Sequence, residues 1–322
     1  MIKDKKIFIF GGSGSLGNKI IERYLSTNKI VNYSRDECKH WKMSLNYKSN
    51  DLSFIIGDIR DYNRVENSLI RENPNIIIIA AALKHIDRCE YAVNECFMTN
   101  FMGPMNVLNA VEKNNNVLSN LECVLFVSTD KSCQAISAYG SAKFLSERAL
   151  IEKAYYNPHI KFVIIKYGNI INSNGSIIQI LDANGLDPNI QSFTLTDIRM
   201  TRFLMSLEQS VDLLEYAVLN AESGDIVVPP LISMKIIDLF EIYSEKYNKP
   251  IEIVGLRSSE KLLETLINPT ESLSIIMNNG YYHIKPHYKK LMLNVEPQEY
   301  DSNINPVNKE QLKQFLDNLK LL

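Results

Sequence analysis

Lys6-Ile-Phe-Ile-Phe-Gly11-Gly-Ser-Gly14-Ser-Leu-Gly17 opens the folded part of this 322-residue chain with a β-prone apolar run that breaks into glycines spaced G-x-x-G-x-x-G. Helical periodicity follows at once, over Asn18–Leu25. Strand, glycine turn and helix in that order suit the pyrophosphate of a dinucleotide. Gly11 makes the tight turn, Gly14 lets backbone approach the phosphates, and Gly17 allows helix to pack on strand. Ser13, Ser15 and Leu16 lie between them, and the helix N-terminus offers free N–H groups to the anion. The bland alternative is a glycine turn with no ligand; the flanking strand and helix weigh against it.

Working outward, the same alternation continues. Strand-like runs at Lys6–Phe10, Lys29–Tyr33, Phe54–Ile56, Ile76–Ala80, Cys123–Val127 and Phe162–Lys166 are separated by helical patterns such as Val93–Glu112 and Tyr139–Ala154. Near-continuous apolar runs such as Ile76-Ile-Ile-Ile suit strands covered on both faces. The fold class expected is α/β, a doubly wound parallel sheet of Rossmann type, with a smaller C-terminal α+β lobe. The first domain spans 1–170, and 207–230 return to it. The second lobe and tail take 171–322, with helices expected at Ser233–Lys246 and Lys309–Leu319 and a hairpin at Ser274–Lys285 broken by Asn279-Gly280.

Composition narrows the class. Apolar residues make up 45% and charged residues 22%, with a net charge of −2, which gives no reason to expect nucleic acid or a membrane surface as partner. The longest apolar run, Ile76–Leu83, falls far short of the about 20 residues a bilayer needs. Five cysteines without C-x-x-C spacing favour reduced thiols, and the N-terminus carries no signal-peptide pattern, so a cytoplasmic protein is expected.

The second strand bears on the choice of dinucleotide. It ends Ser34-Arg35-Asp36, and Lys39 follows one helical turn on. A guanidinium beside a hydroxyl matches a ribose 2′-phosphate, so NADP is favoured over NAD. Asp36 and Glu37 blur that choice, and Arg35 could equally be a solvated surface residue. Asp58 and Ile59, after the third strand, are candidate adenine contacts. Ala80 and Ala82 would let the cofactor lie close, or simply pack closely, and Lys84 could reach the nicotinamide ribose or a substrate.

Ser128-Thr129-Asp130-Lys131 follows the fifth strand, and Tyr139-x-x-x-Lys143 follows on a helix. Residues four apart share one helix face. A neighbouring ammonium would lower the phenol's pKa toward working pH, making Tyr139 a candidate base. Asp130 and Lys131 add an acid and an amine, with Thr129 beside them; an ordinary loop ion pair is the alternative. Lys131 can be a base only if its pKa falls well below about 10.4.

From Lys5 to about Pro286 the chain resembles extended short-chain dehydrogenases/reductases acting on nucleotide sugars, and more narrowly the UDP-N-acetylglucosamine 4,6-dehydratases that invert C5. The likeness rests on Gly11–Gly17, Ser34-Arg-Asp-Glu, Ala80–His85, Ser128–Lys131, Tyr139–Lys143, Tyr167-Gly-Asn169, Asp197-Ile-Arg-Met-Thr-Arg202-Phe and Arg257-x-x-Glu-Lys261. Retaining dehydratases carry Asp-Glu where this chain has Asp130-Lys131, and simple 4-epimerases lack the pair. The resemblance implies that Tyr139 takes the O4 proton as C4 is oxidised, Lys131 takes the C5 proton, and Asp130 protonates the departing O6. It also implies a UDP-sugar bound by Ser128, Thr129, Asn169, Ile177, Thr194, Arg199, Arg202, Arg257 and Glu260, with arginines on the diphosphate. Arg202 could instead be a structural ion-pair partner.

Helices such as Val93–Glu112 often pair protomers in that superfamily, which implies a homo-oligomer, dimer or hexamer. The chain departs from the family pattern at Ser132–Ala135, Asn172–Ser176 and Gly255–Glu260, which touches fine specificity. A UDP-sugar 4-epimerase, a retaining dehydratase and a silent NADP-binding sensor are the competing readings. His283-x-x-x-His287 has metal-pair spacing, but Pro286 interrupts the helix that would align it, so no metal is expected.

Overall fold

The computed structural model describes residues 1–289 and 296–322; residues 290–295 of the expected second lobe fall outside them. The strands are β1 (Lys6–Phe10), β2 (Lys29–Ser34), β3 (Leu52–Ile56), β4 (Ile76–Ile79), β5 (Cys123–Val127), β6 (Lys161–Ile165), β7 (Ile226–Val228), β8 (Ile275–Asn278) and β9 (Tyr281–Ile284). They form one sheet in the order β8-β9-β7-β6-β5-β4-β1-β2-β3. The pairs from β3 across to β7 are parallel. This is the doubly wound order, which reverses between β1 and β4 and opens a crevice there at the strands' C-terminal ends.

Alternate residues of the central strands serve two cores. Phe8, Phe10, Ile77, Ile79, Val124 and Phe126 pack on one face, while Ile7, Ile9, Ile76, Ile78 and Leu125 pack on the other. That is why these segments carry no polar alternation. The dinucleotide turn is held by close contacts that only glycine permits. Gly11 has φ +88°, and a Cβ there would come within 2.7 Å of Ala81 N; one on Gly17 would lie 2.4 Å from Gly12 Cα.

The hairpin β8–β9, expected in the second lobe, extends the main sheet instead, because β9 pairs antiparallel with β7. Its turn residues Asn279 and Gly280 both have positive φ, as a two-residue hairpin requires. His283 is buried there: its Nδ1 lies 3.0 Å from Asp225 and its Nε2 2.9 Å from the Tyr216 hydroxyl. The second lobe has its own core of Ile178, Leu181, Phe193, Leu239, Phe240, Tyr243, Leu312 and Leu316. Its three-stranded sheet joins Asn169–Ile170, Thr201–Met205 and Ile232–Lys235.

The expected helix Ser233–Lys246 is therefore corrected at its start. Residues 232–235 pair with Thr201–Met205, and the helix runs Ile236–Tyr247. The Val93–Glu112 pattern is likewise interrupted. It resolves into Val93–Phe97, a π-helical turn Met98–Met102, and Gly103–Lys113 with Pro104 at its start. No described helix is long and apolar enough to cross a membrane.

Candidate active site

A cleft of about 580 Å³ lies at the C-terminal ends of the parallel strands and under the second lobe. From the first domain it gathers Gly11, Gly14, Ser15, Leu16, Gly17, Lys39, Ala80, Ala82, Lys84, Ser128, Thr129, Lys131, Tyr139 and Lys143, and from the second Asn169 and Ile177. The helix Ser15–Tyr24 starts at this cleft with Gly14 as N-cap and no side-chain cap, so its first amides remain available to a phosphate. Three glycines and Ala80 and Ala82, which leave room beside uncapped amides, fit a dinucleotide. The Asn174 amide donates to Ser15 Oγ (2.9 Å) and Lys84 Nζ to Ser173 Oγ (3.3 Å), so the 172–176 loop clasps this turn.

Some expected cofactor residues have other partners. Ser13 Oγ donates to Ser34 Oγ (2.9 Å), and Ser34 Oγ lies 2.6 Å from His40 Nε2. Arg35 is half-exposed, 3.6 Å from Asp58 and free to turn toward an anion. Asp36 caps the following helix, its carboxylate accepting from the Lys39 amide. Asp58 is bound by Arg60, and the Ile59 side chain is buried against Gly103.

Tyr139 and Lys143 sit in the first two turns of the helix Ala138–Tyr156, whose start is capped by Ser137. Lys143 Nζ donates to Val127 O (2.7 Å) and lies over the Phe126 ring. Burial pulls its pKa down to about 7, against the charges of Glu147 and Cys96. Tyr139 moves opposite to expectation. Burial pushes the phenol up to about 12, and the groups that oppose this are Lys131 and Thr129 rather than Lys143. In the chain alone, then, Y-x-x-x-K does not by itself lower the phenol.

Asp130 and Lys131 begin a short 3₁₀ turn, Asp130–Ser132, capped by Thr129; Lys131 lines the cleft and Asp130 lies behind it. Asp130 is fully buried. Its Oδ1 accepts from Thr129 Oγ1 (2.9 Å) and Lys131 Nζ (3.0 Å), and Lys131 also donates to Asn169 Oδ1 (3.2 Å). Burial alone would lower the lysine's pKa, but Asp130 and Glu264 overcome it and hold the ammonium up at about 12. The expectation of a lowered Lys131 is thus corrected by these two carboxyl groups. Glu264, 3.4 Å from Lys131 Nζ, was not foreseen. Its signal was a lone carboxylate in the apolar run Leu262-Leu-Glu-Thr-Leu-Ile267.

Behind this turn, buried Glu147 accepts from the hydroxyls of Ser128 and Ser132 and faces Lys166 at 3.6 Å. The Ser128 hydroxyl is therefore turned to Glu147. Thr194 is exposed on the strand Phe193–Leu195, and Arg199 is exposed and bidentate to Asp197. Neither lines the cleft. Arg202 is buried and donates to the carbonyls of Thr201, Leu262 and Lys261. It serves structure, which corrects its diphosphate role. Arg257 is exposed, and its amide donates to Glu260; both lie outside the cleft walls.

A family model described as polysaccharide biosynthesis protein matches residues 7–286. The chain is 33% identical to UDP-N-acetylglucosamine 4,6-dehydratase (inverting) of Campylobacter jejuni (strain 81-176), covering 97% of this chain and 91% of that one. It is 34% identical to UDP-glucose 4-epimerase of Rickettsia bellii, covering 99% and 97%. Among solved structures it resembles Pen from Bacillus thuringiensis, with a TM-score of 0.91, 29% identity and 99% of each chain covered.

Proposed function

The chain belongs to this polysaccharide-biosynthesis family, and on that footing we propose that it is a UDP-N-acetylglucosamine 4,6-dehydratase that inverts C5 and uses NADP. The observation that carries the proposal is the hydrogen bond from Lys131, on the wall of the cleft that Tyr139 and Lys143 also line, to the buried Asp130 behind it. Bound on the Gly11–Gly17 turn, with Arg35 and Lys39 near the 2′-phosphate, the dinucleotide would supply the oxidant that takes hydride from C4 and returns it to C6.

The chain's own groups then divide the proton work. Tyr139 takes the O4 proton. Once a carbonyl stands at C4, the C5 proton becomes acidic enough for an amine, and O6 leaves only if it is protonated. An ammonium and a carboxylate can do neither job. Transfer of one proton from Lys131 to Asp130 along their 3.0 Å contact produces both the amine base and the carboxylic acid. The same contact holds the proton on Lys131 in the resting chain, so the transfer is a step the bound substrate must favour. Return of a proton to the opposite face of C5 completes inversion, giving UDP-2-acetamido-2,6-dideoxy-β-L-arabino-hex-4-ulose.

The Rickettsia relatives keep a UDP-sugar 4-epimerase reading alive, because Tyr139 and Lys143 would serve it as well. It gives the Asp130–Lys131 pair no task. Incubation with UDP-N-acetylglucosamine followed by proton NMR separates the two. A C6 methyl doublet is expected; an axial C4 isomer without it would mean epimerase. Lys131→Ala should abolish solvent-deuterium entry at C5, and undiminished exchange in that variant would remove the lysine from the chemistry.

A further inference from the structure

We propose that Glu264 is a positioning residue for the reaction, holding the Lys131 side chain between its own carboxylate and that of Asp130 and thereby governing when that pair can exchange its proton. This rests on the reading of Lys131 as the C5 base.

Glu264 stands at the entrance to the strand Thr265–Ile267, tied by its amide to Ser302 Oγ (3.0 Å) and by its carbonyl to the Ser302 amide (2.8 Å). Its side chain is almost wholly buried. Oε1 lies 3.4 Å from Lys131 Nζ and 3.6 Å from Arg202 Nε. Among the described residues there is no hydrogen-bond partner for Glu264 Oε2, nor for the buried Asp130 Oδ2. One ammonium is thus shared by two buried carboxyl groups, each with an unmatched oxygen. A purely structural ion pair would satisfy those acceptors, and unmatched buried acceptors are costly enough to call for another reason.

The charged groups facing Glu264 are Asp130 and Lys131 from the 3₁₀ turn, Arg202 from the strand Thr201–Met205, and Lys261 from the preceding segment. Tyr139 faces Lys131 from the long helix; on the segment paired with Thr265, Ser302 meets the Glu264 backbone, while Asp301 pairs with Thr265 and Glu299 accepts from its hydroxyl. Arg202 gives Nη1 and Nη2 to backbone carbonyls and faces Glu264 only through Nε, so Lys131, which also meets Asp130, is the cation whose contact with Glu264 can respond to chemistry. While Glu264 is charged, the ammonium is favoured and the proton stays on Lys131. Once its charge is neutralised, the proton passes to Asp130 more readily. Burial pushes the Glu264 carboxyl upward, and the Asp130 charge adds to this against Lys131 and Arg202, so proton uptake there is within chemical reach.

The test reads the Lys131 proton directly. Trace labelling of the full-length protein with acetic anhydride at pH 8, quantified by mass spectrometry, measures the fraction of neutral amine. Removing an opposite charge at this range shifts a pKa by about one unit or more. Glu264→Gln should therefore acetylate Lys131 about tenfold faster than wild type, and Glu264→Asp should stay slow, with Lys39 labelling as an internal reference. The acid limb of C5 deuterium exchange should move down by about one pH unit in Glu264→Gln. Equal Lys131 labelling in wild type and Glu264→Gln would overturn the inference, as would the same acceleration in Glu264→Asp. Absence of C5 exchange in the wild type would refute the dehydratase reading, and labelling alone would then decide whether Glu264 holds the Lys131 proton.

Discussion

Lys143 spends most of its stem inside the protein, its ammonium held by one carbonyl and an aromatic face. Burial carries its folded pKa to about 7, below the ordinary lysine value of 10.5. Between those two values the unfolded chain binds a proton that the native chain lacks, so stability rises with pH from about 7 to about 10.5. Lys131 and Tyr139 are shifted upward, so neither takes part in that rise. Lys143→Met should flatten it by on the order of a few kcal/mol. Urea denaturation at pH 6.5 and pH 9.5 checks this, and parallel pH slopes in variant and wild type would contradict it. Arg35 tests the cofactor at the same scale. A charge-assisted phosphate contact contributes about 1.5–3 kcal/mol, so Arg35→Ala should weaken NADP binding about tenfold or more and leave NAD unchanged. The shared helix face of Tyr139 and Lys143 was legible from their four-residue spacing, and the place of Asp130 and Lys131 from the strand end before them. Glu264 and Glu147 were not, since only tertiary packing brings them to Lys131 and to Ser128 and Lys166; His40 meets the nearby Ser34 and carried no motif of its own.

At the scale of elements, the 3₁₀ turn and the long helix meet at Gly140. A Cβ there would lie 2.2 Å from the Lys131 carbonyl oxygen. Helix propensity alone makes Gly→Ala favourable by about 1 kcal/mol in a helix interior. The backbone clash outweighs that gain, because the neighbour is not a flexible side chain. Gly140→Ala should therefore move the Asp130–Lys131 turn and lower kcat tenfold or more while scarcely changing NADP affinity. A variant with full activity and a raised melting temperature would mean that propensity had won. Elements with one dominant period were read well from sequence: β1 and β5 match their expected limits. Ile232–Lys235 was misread because Ser233-Met-Lys continues the apolar spacing of the helix after it, and only pairing with Thr201–Met205 makes it a strand. The π turn at Met98–Met102 left no mark in a hydrophobic pattern that runs straight through it.

Across the whole molecule, the doubly wound sheet followed from alternation and the glycine turn, but its far edge did not. Strand order beyond β6 depends on which distant segment docks there, and nothing local in β8 or β9 says so. Asp225 supplies part of the reason. Its buried carboxylate accepts from Lys285 (2.8 Å) and meets His283, both at the end of the hairpin. A fragment ending at residue 170 should therefore be insoluble, because β6, largely buried in the finished protein, would be a bare edge strand. Sedimentation of that fragment beside the full chain checks this, and a soluble, cooperatively melting fragment would contradict it. For a ribosome the same topology sets a schedule. Most of the polypeptide must leave the exit tunnel before β7 and the hairpin can seal the sheet, so the half-made product carries an open strand edge through most of its synthesis.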